Sequence, residues 1–149
     1  MLIGVPAETT AGETRVAVTP ETAKKIIAQG KIIQEAHVLV MGATFKENVS
    51  DIRNSKVIDV ISELKSFQIN VDVIDPHADS SEMEHEYGVS LTTTLRSDYD
   101  AIILAVNHRE YMNYNEAYFK SLLKDGKGVF VDVKGIYRGQ VTDLEYWSL

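Results

Sequence analysis

Cysteine is absent from the 149 residues of this chain. Disulfides, thiolate metal sites and a cysteine nucleophile are therefore excluded. No apolar run approaches the roughly 20 residues that a membrane-spanning helix needs. The start, Met1-Leu-Ile-Gly-Val-Pro6, lacks the charged opening and long apolar stretch of a signal peptide, so a cytoplasmic protein is expected. Positive charge is scarce: 15 Lys and Arg stand against 22 Asp and Glu, a formal net charge of -7. Such a field repels phosphate at long range, so neither nucleic acid nor a membrane surface is expected as a partner, although a local basic pocket is not excluded. There is no G-x-G-x-x-G, no internal repeat and no low-complexity linker. His37, His77, His85 and His108 show no metal-ligand spacing, and His77 with Asp79 supplies only two ligands. No Ser/His/Asp arrangement is apparent. The length suits one compact domain with a real core.

What is present alternates between two periods. His37 to Met41 is a short apolar run and reads as a buried strand. Asn54 to Phe67 repeats apolar residues at helical spacing through Val57, Ile58, Val60, Ile61 and Leu64. Asn70 to Ile74 reads as a second strand, stopped at Asp75-Pro76, where an acid and a proline suggest a turn rather than a ribose-binding carboxylate. Ser80 to Tyr87 reads as a short acidic helix closed by Gly88, and Val89 to Leu91 as a brief strand. Ala101 to Val106 is the most apolar strand, Glu116 to Leu123 a helix, and Val129 to Val133 the last buried strand. Five of the seven tyrosines, Tyr87, Tyr99, Tyr111, Tyr114 and Tyr118, read as packing. Strands alternating with helices predict an α/β fold: a Rossmann-like open parallel sheet with helices on both faces. Ahead of it, Leu2 to Pro6 and a helix from Thr19-Pro20 to Gly30 predict an N-terminal strand-helix appendage.

The most informative stretch runs from Val38 to Lys56. An apolar strand ends at Gly42, a charged loop follows, and a helix is expected from about Asn54. That arrangement faces an anion with backbone N–H groups and a helix start, at the carboxyl end of the sheet. Lys46 and Arg53 lie in the loop, so cationic side chains share the work that glycine-rich backbone does elsewhere. Phe45 either lines the pocket or joins the core. Asp51 and Arg53 suit a structural pair at the helix start, with Asp51 assisting the cap. Lys134 and Arg138 follow the last strand, at the same rim as Lys46. Convergence of these cations is the argument for an anionic ligand, and a solvated loop is the alternative.

Phe45-Lys46-Glu47-Asn48 and Asp51-Ile52-Arg53-Asn54-Ser55-Lys56 resemble the opening of the C-terminal, UDP-binding domain of the UDP-glucose/GDP-mannose dehydrogenase family. The likeness is to the branch that oxidises UDP-N-acetylhexosamines. It continues through Val71 to Pro76, Ala101 to Val106 and Val129 to Gly135, and covers about residues 32–149. The resemblance implies that UDP or a UDP-sugar is the ligand, with Phe45, Lys46, Arg53, Lys134 and Arg138 as substrate-binding residues. It implies polysaccharide biosynthesis as the setting. An arginine often stands in the family where this chain has Lys134, so a positive charge is kept and the bidentate fork is lost. Complete members add an NAD-binding domain and a helical region with a catalytic cysteine. This chain shows neither, so no catalytic residue and no cofactor are assigned to it, and it is expected to be inactive alone.

Residues 1–31 are similar instead to the N-terminus of alanine dehydrogenase and of the transhydrogenase alpha subunit, through Met1 to Glu8, Glu13 to Ala17 and Thr19-Pro20. Arg15 matches a substrate-contacting arginine there, but the rest of that pocket is missing, and a surface role is preferred. The chain thus reads as a chimera, with a 1–31 segment of different origin joined to a 32–149 domain. A homo-oligomer through the N-terminal segment is a further expectation. Two alternatives to a nucleotide-sugar module are a structural or assembly domain with an empty pocket, and a pyridine-nucleotide protein related to transhydrogenase.

Overall fold

A computed structural model describes residues 35–148. The appendage expected over residues 1–31, Arg15 and the boundary at residue 32 lie outside the described residues. Five parallel strands form one sheet: β1 His37–Met41, β2 Asn70–Ile74, β3 Ala101–Leu104, β4 Val129–Asp132 and β5 Glu145–Ser148, in the order β2-β1-β3-β4-β5. Met41 pairs with Ile74 and Leu104, Leu104 with Asp132, and Asp132 with Ser148. The last residues of all five strands therefore stand level at one rim, and every loop leaving that rim starts from the same height. The expected open parallel sheet is the one observed.

Helices cover both faces. α1 (Val57–Ser66) buries Val57, Ile58, Val60, Ile61 and Leu64. These pack with Val38, Val40, Ala101, Ile103, Val129 and Val131, an almost wholly aliphatic face. Each such side chain withdrawn from water contributes about 1.5–3 kcal/mol before chain entropy is subtracted. α2 (Ser80–Tyr87) adds Met83 to the same layer. It starts on the Asp79 carboxylate, which accepts from Glu82 N at 2.9 Å, and closes on left-handed Gly88. α3 (Glu116–Leu122) covers the opposite face, where Leu39, Met41, Ile102 and Leu104 meet aromatic rings. Phe119 lies 4.3 Å from Phe130 and meets Tyr137 edge-on at 5.1 Å. The tyrosine packing reading holds for Tyr99 and Tyr111, both buried.

Three expectations need correction. α1 begins at Val57, not near Asn54, because Asn54 adopts φ +60°, a left-handed conformation that no helix continues. Residues 89–91 form no strand; Val89 and Leu91 pack into the aliphatic layer, and Thr92 N donates to Val73 O at 2.7 Å. β4 is not the last strand, since β5 adds an edge beyond it. No helix among the described residues is long and apolar enough to cross a membrane.

Candidate functional site

The loop that leaves β1 is held shut on itself. Gly42 has φ +87°, and a Cβ there would fall 2.6 Å from Val106, so only glycine fits between the exits of β1 and β3. Phe45 N donates to Asp51 O at 2.7 Å, Thr44 Oγ1 donates to Lys46 O at 3.0 Å, and Ser55 Oγ donates to Thr44 O at 3.3 Å. These bonds close residues 44–55 into a compact ring, and α1 starts directly after it.

Asp75, at the end of β2, anchors the ring from below. Its Oδ2 accepts from Ala43 N at 2.7 Å and Thr44 N at 3.1 Å, and its Oδ1 from His77 N at 2.8 Å and Ala78 N at 2.9 Å. His108 Nε2 lies 2.9 Å from Oδ2, and neither side chain is exposed. Burial opposes the Asp75 charge, but the bonds from His108 and from the Ala43 and His77 N–H groups outweigh it, and the carboxyl is held down at about 2. The other ring nitrogen of His108 accepts from Asn48 N at 3.0 Å. An acceptor at Nδ1 and a carboxylate at Nε2 fix the neutral tautomer with its proton on Nε2. Asn48 completes the brace: at φ +59° its Oδ1 accepts from Arg109 N at 2.8 Å. The exits of β1, β2 and β3 are thus bound into one unit.

Lys46 lies exposed on this ring, and Phe45 is half-buried. Lys134, two residues beyond β4, reaches back to the same ring: its Nζ lies 3.0 Å from Glu47 Oε1. The loops of Lys46 and Lys134 therefore meet at one rim. Arg138 lies in the following turn and donates to Ser148 Oγ at 2.9 Å, at the end of β5. Arg53 is exposed and forms a fork with Asp51, Nε to Oδ1 at 2.9 Å and Nη2 to Oδ2 at 3.0 Å. Asp51 also accepts from Arg53 N, so it closes a local turn instead of assisting the α1 cap. The Arg53 fork holds the Asp51 carboxyl down at about 2.

Sequence reasoning missed the anchoring role of Asp75, and it gave Asn48, His108 and Glu47 no place in the site. The available signal was position: Asp75 directly follows β2, and His108 closely follows the buried β3. His77, His108 and Glu110 also come together, with ligand atoms within 4.8 Å of one another, which the spacing did not suggest. Metal binding is a poor use of them. Both nitrogens of His108 already have partners, and ligation would strip either the Asp75 bond or the Asn48 bond. The His77 ring instead sits 3.1 Å from the Glu110 carboxylate. Asn107 Oδ1, at the β3 exit, is buried without a hydrogen-bond partner among the described residues.

The model of the UDP-glucose/GDP-mannose dehydrogenase family, UDP binding domain, matches residues 39–139. The chain is 36% identical over 128 residues to a UDP-N-acetyl-D-glucosamine 6-dehydrogenase of Salmonella typhi, covering 85% of this chain and 30% of that protein. It is 42% identical over 114 residues to Protein CapL of Staphylococcus aureus, covering 76% of this chain and 26% of that one. Among solved structures, the UDP-N-acetyl-mannosamine dehydrogenase Cap5O from S. aureus superposes with a TM-score of 0.66 at 22% identity, over 87% of this chain and 30% of that chain. An NDP-N-acetyl-D-galactosaminuronic acid dehydrogenase from Methanosarcina mazei Go1 gives 0.70 at 19% identity, over 87% and 28%. These two structures share the fold. The chain spans about 30% of the length of the first of the curated relatives it matches. With the matched residues running from within β1 through β4 and across the braced loop, the chain belongs to the UDP-glucose/GDP-mannose dehydrogenase family, as its UDP-binding domain.

Proposed function

We propose that this domain holds the UDP part of a UDP-N-acetylhexosamine, with Lys46 and Lys134 set against the diphosphate, Phe45 beside the nucleoside, and Arg53 and Arg138 as outer cations. The observation that carries the reading is the meeting of the β1 and β4 loops at the carboxyl rim, recorded by the 3.0 Å approach of Lys134 to Glu47, the residue after Lys46. Two ammonium groups from separate loops offset a diphosphate charge that the acidic chain elsewhere repels. Lysines act as point charges, so orientation falls to the braced backbone beneath them.

Oxidation of the sugar belongs, in this reading, to parts of a dehydrogenase that this chain does not contain. Without cysteine the chain offers no thiol to carry a covalent intermediate. The domain binds and orients; it neither takes a hydride nor holds NAD. Calorimetric titration with UDP tests the binding. Saturable heat that is lost in Lys46→Ala supports the site, whereas no heat at millimolar UDP returns the domain to a purely structural role. NADH formation from a UDP-hexosamine by the pure chain would refute the division of labour. Tighter binding of NAD(H) than of UDP would instead favour the transhydrogenase-like reading, which no feature of the described residues supports.

A further inference from the structure

Glu47 stands where an anionic ligand has to arrive. Its carboxylate lies 3.0 Å from Lys134 Nζ, and the two side chains are only 34% and 25% exposed, so the pair is partly shielded from water. Burial works against the Glu47 charge, yet its own backbone N–H and the Lys134 ammonium together hold the carboxyl below its ordinary range. The group is therefore ionised at neutral pH. Glu47 comes from the loop after β1 and Lys134 from the turn after β4, and β3 lies between those strands. The ion pair thus reaches across the carboxyl end of β3.

A carboxylate oxygen and a phosphate oxygen make the same demand on an ammonium group, since both are anionic acceptors without a proton to give. They compete for one charge. We propose that Glu47 is an internal competitor for the nucleotide diphosphate: it holds Lys134 in the free domain and is displaced when the distal phosphate arrives. The proposal rests on the reading of this rim as a UDP site. Displacement falls to the Glu47 side chain, because its backbone is pinned on both sides. Lys46 O accepts from Thr44 Oγ1, and Asn48 is tied to His108 and Arg109. Glu47 then sets affinity and also selects. A diphosphate long enough to reach Lys134 must evict the carboxylate, while a monophosphate that stops short does not.

Titration of the full chain with UDP and with UMP, in wild type, Glu47→Gln, Lys134→Gln and the double variant, tests this. Glu47→Gln is expected to tighten UDP binding about fivefold at low salt, the scale of one partly shielded ion pair. The gain is expected to shrink at high salt and to stay below about twofold for UMP, which does not contest the pair. In the Lys134→Gln background the gain is expected to vanish, either as equal affinities or as loss of binding in both proteins. Thermal melts establish that each variant is folded. Unchanged or weaker UDP binding by folded Glu47→Gln, with wild-type binding intact, overturns the competitor role and leaves the UDP site standing. An equal gain without Lys134 overturns it as well, because the effect is then a general charge effect. If neither wild type nor Glu47→Gln binds UDP at millimolar concentration, the site and the competitor fall together.

Discussion

Two buried aspartates close two ends of the same rim in different ways. Asp75, after β2, accepts from Ala43, Thr44, His77, Ala78 and His108, so it gathers three stretches of chain that lie more than 30 residues apart. Asp132, at the end of β4, accepts from Gly135 N at 2.9 Å and Tyr137 N at 2.7 Å in its own turn, and from Tyr146 OH at 2.8 Å on β5. The first carboxylate is a cross-brace; the second mainly shapes a local turn. The difference divides the rim. On its β2-β1-β3 side, carrying Phe45 and Lys46, the aspartate binds segments distant in sequence, whereas on its β4-β5 side, carrying Lys134 and Arg138, it binds its own turn and β5, and the turn is tied back to the β3 side through Tyr137 and Tyr111.

The largest effect that can break this comparison is Asp75→Asn. The amide NH2 must face one of several N–H donors, and at least one buried donor loses its acceptor. A loss of about 3 kcal/mol in urea unfolding is expected. Equal losses in Asp75→Asn and Asp132→Asn would erase the distinction. Acid titration sharpens it next. Asp75 holds its proton less tightly folded, at about 2, than an ordinary carboxyl does. The unfolded chain therefore takes up that proton first as pH falls. A contribution on the order of 2 kcal/mol is present in full above the ordinary carboxylate range and disappears as pH drops through about 2. Unfolding followed from pH 6 to pH 2 is expected to show a steep acid limb in wild type and a flatter one in Asp75→Asn. Asp132→Asn is expected to cost about 1.5 kcal/mol by the same urea measurement, with Tyr146→Phe costing about 1 kcal/mol as the hydroxyl bond to Asp132 is lost. Arg53→Ala, which removes the exposed guanidinium of a surface pair, is expected to leave the melting temperature unchanged. A clear drop there would mean that the ring depends on its outer charges as well as on Asp75.

Much of this was legible in the sequence, for reasons that differ by element. β1, β3 and β4 are short apolar runs buried on both faces, and such runs announce themselves. α2 was legible to the residue because Asp79 and Gly88 mark its ends chemically. β5 was not, because Glu-Tyr-Trp-Ser is a short, half-buried edge whose pairing is decided by β4 rather than by its own composition. The late start of α1 turns on a single left-handed Asn54, which no periodicity reveals. At the site, the shared rim of Lys46 and Lys134 followed from strand ends alone. The brace did not, since Asp75 and His108 meet 33 residues apart and Asn48 and His108 meet 60 apart. Nor did the Glu47–Lys134 pair, which links two loops across an intervening strand.

The chain has one tryptophan, Trp147, and it sits on β5. It packs against the aliphatic layer opposite Val131, and its neighbour Ser148 accepts the Arg138 hydrogen bond. The one tryptophan therefore stands on the β4-β5 side of the molecule, away from the Asp75 brace. Its emission is a label-free optical record of whether the outermost strand stays docked when UDP is added, a local signal that global unfolding measurements average away.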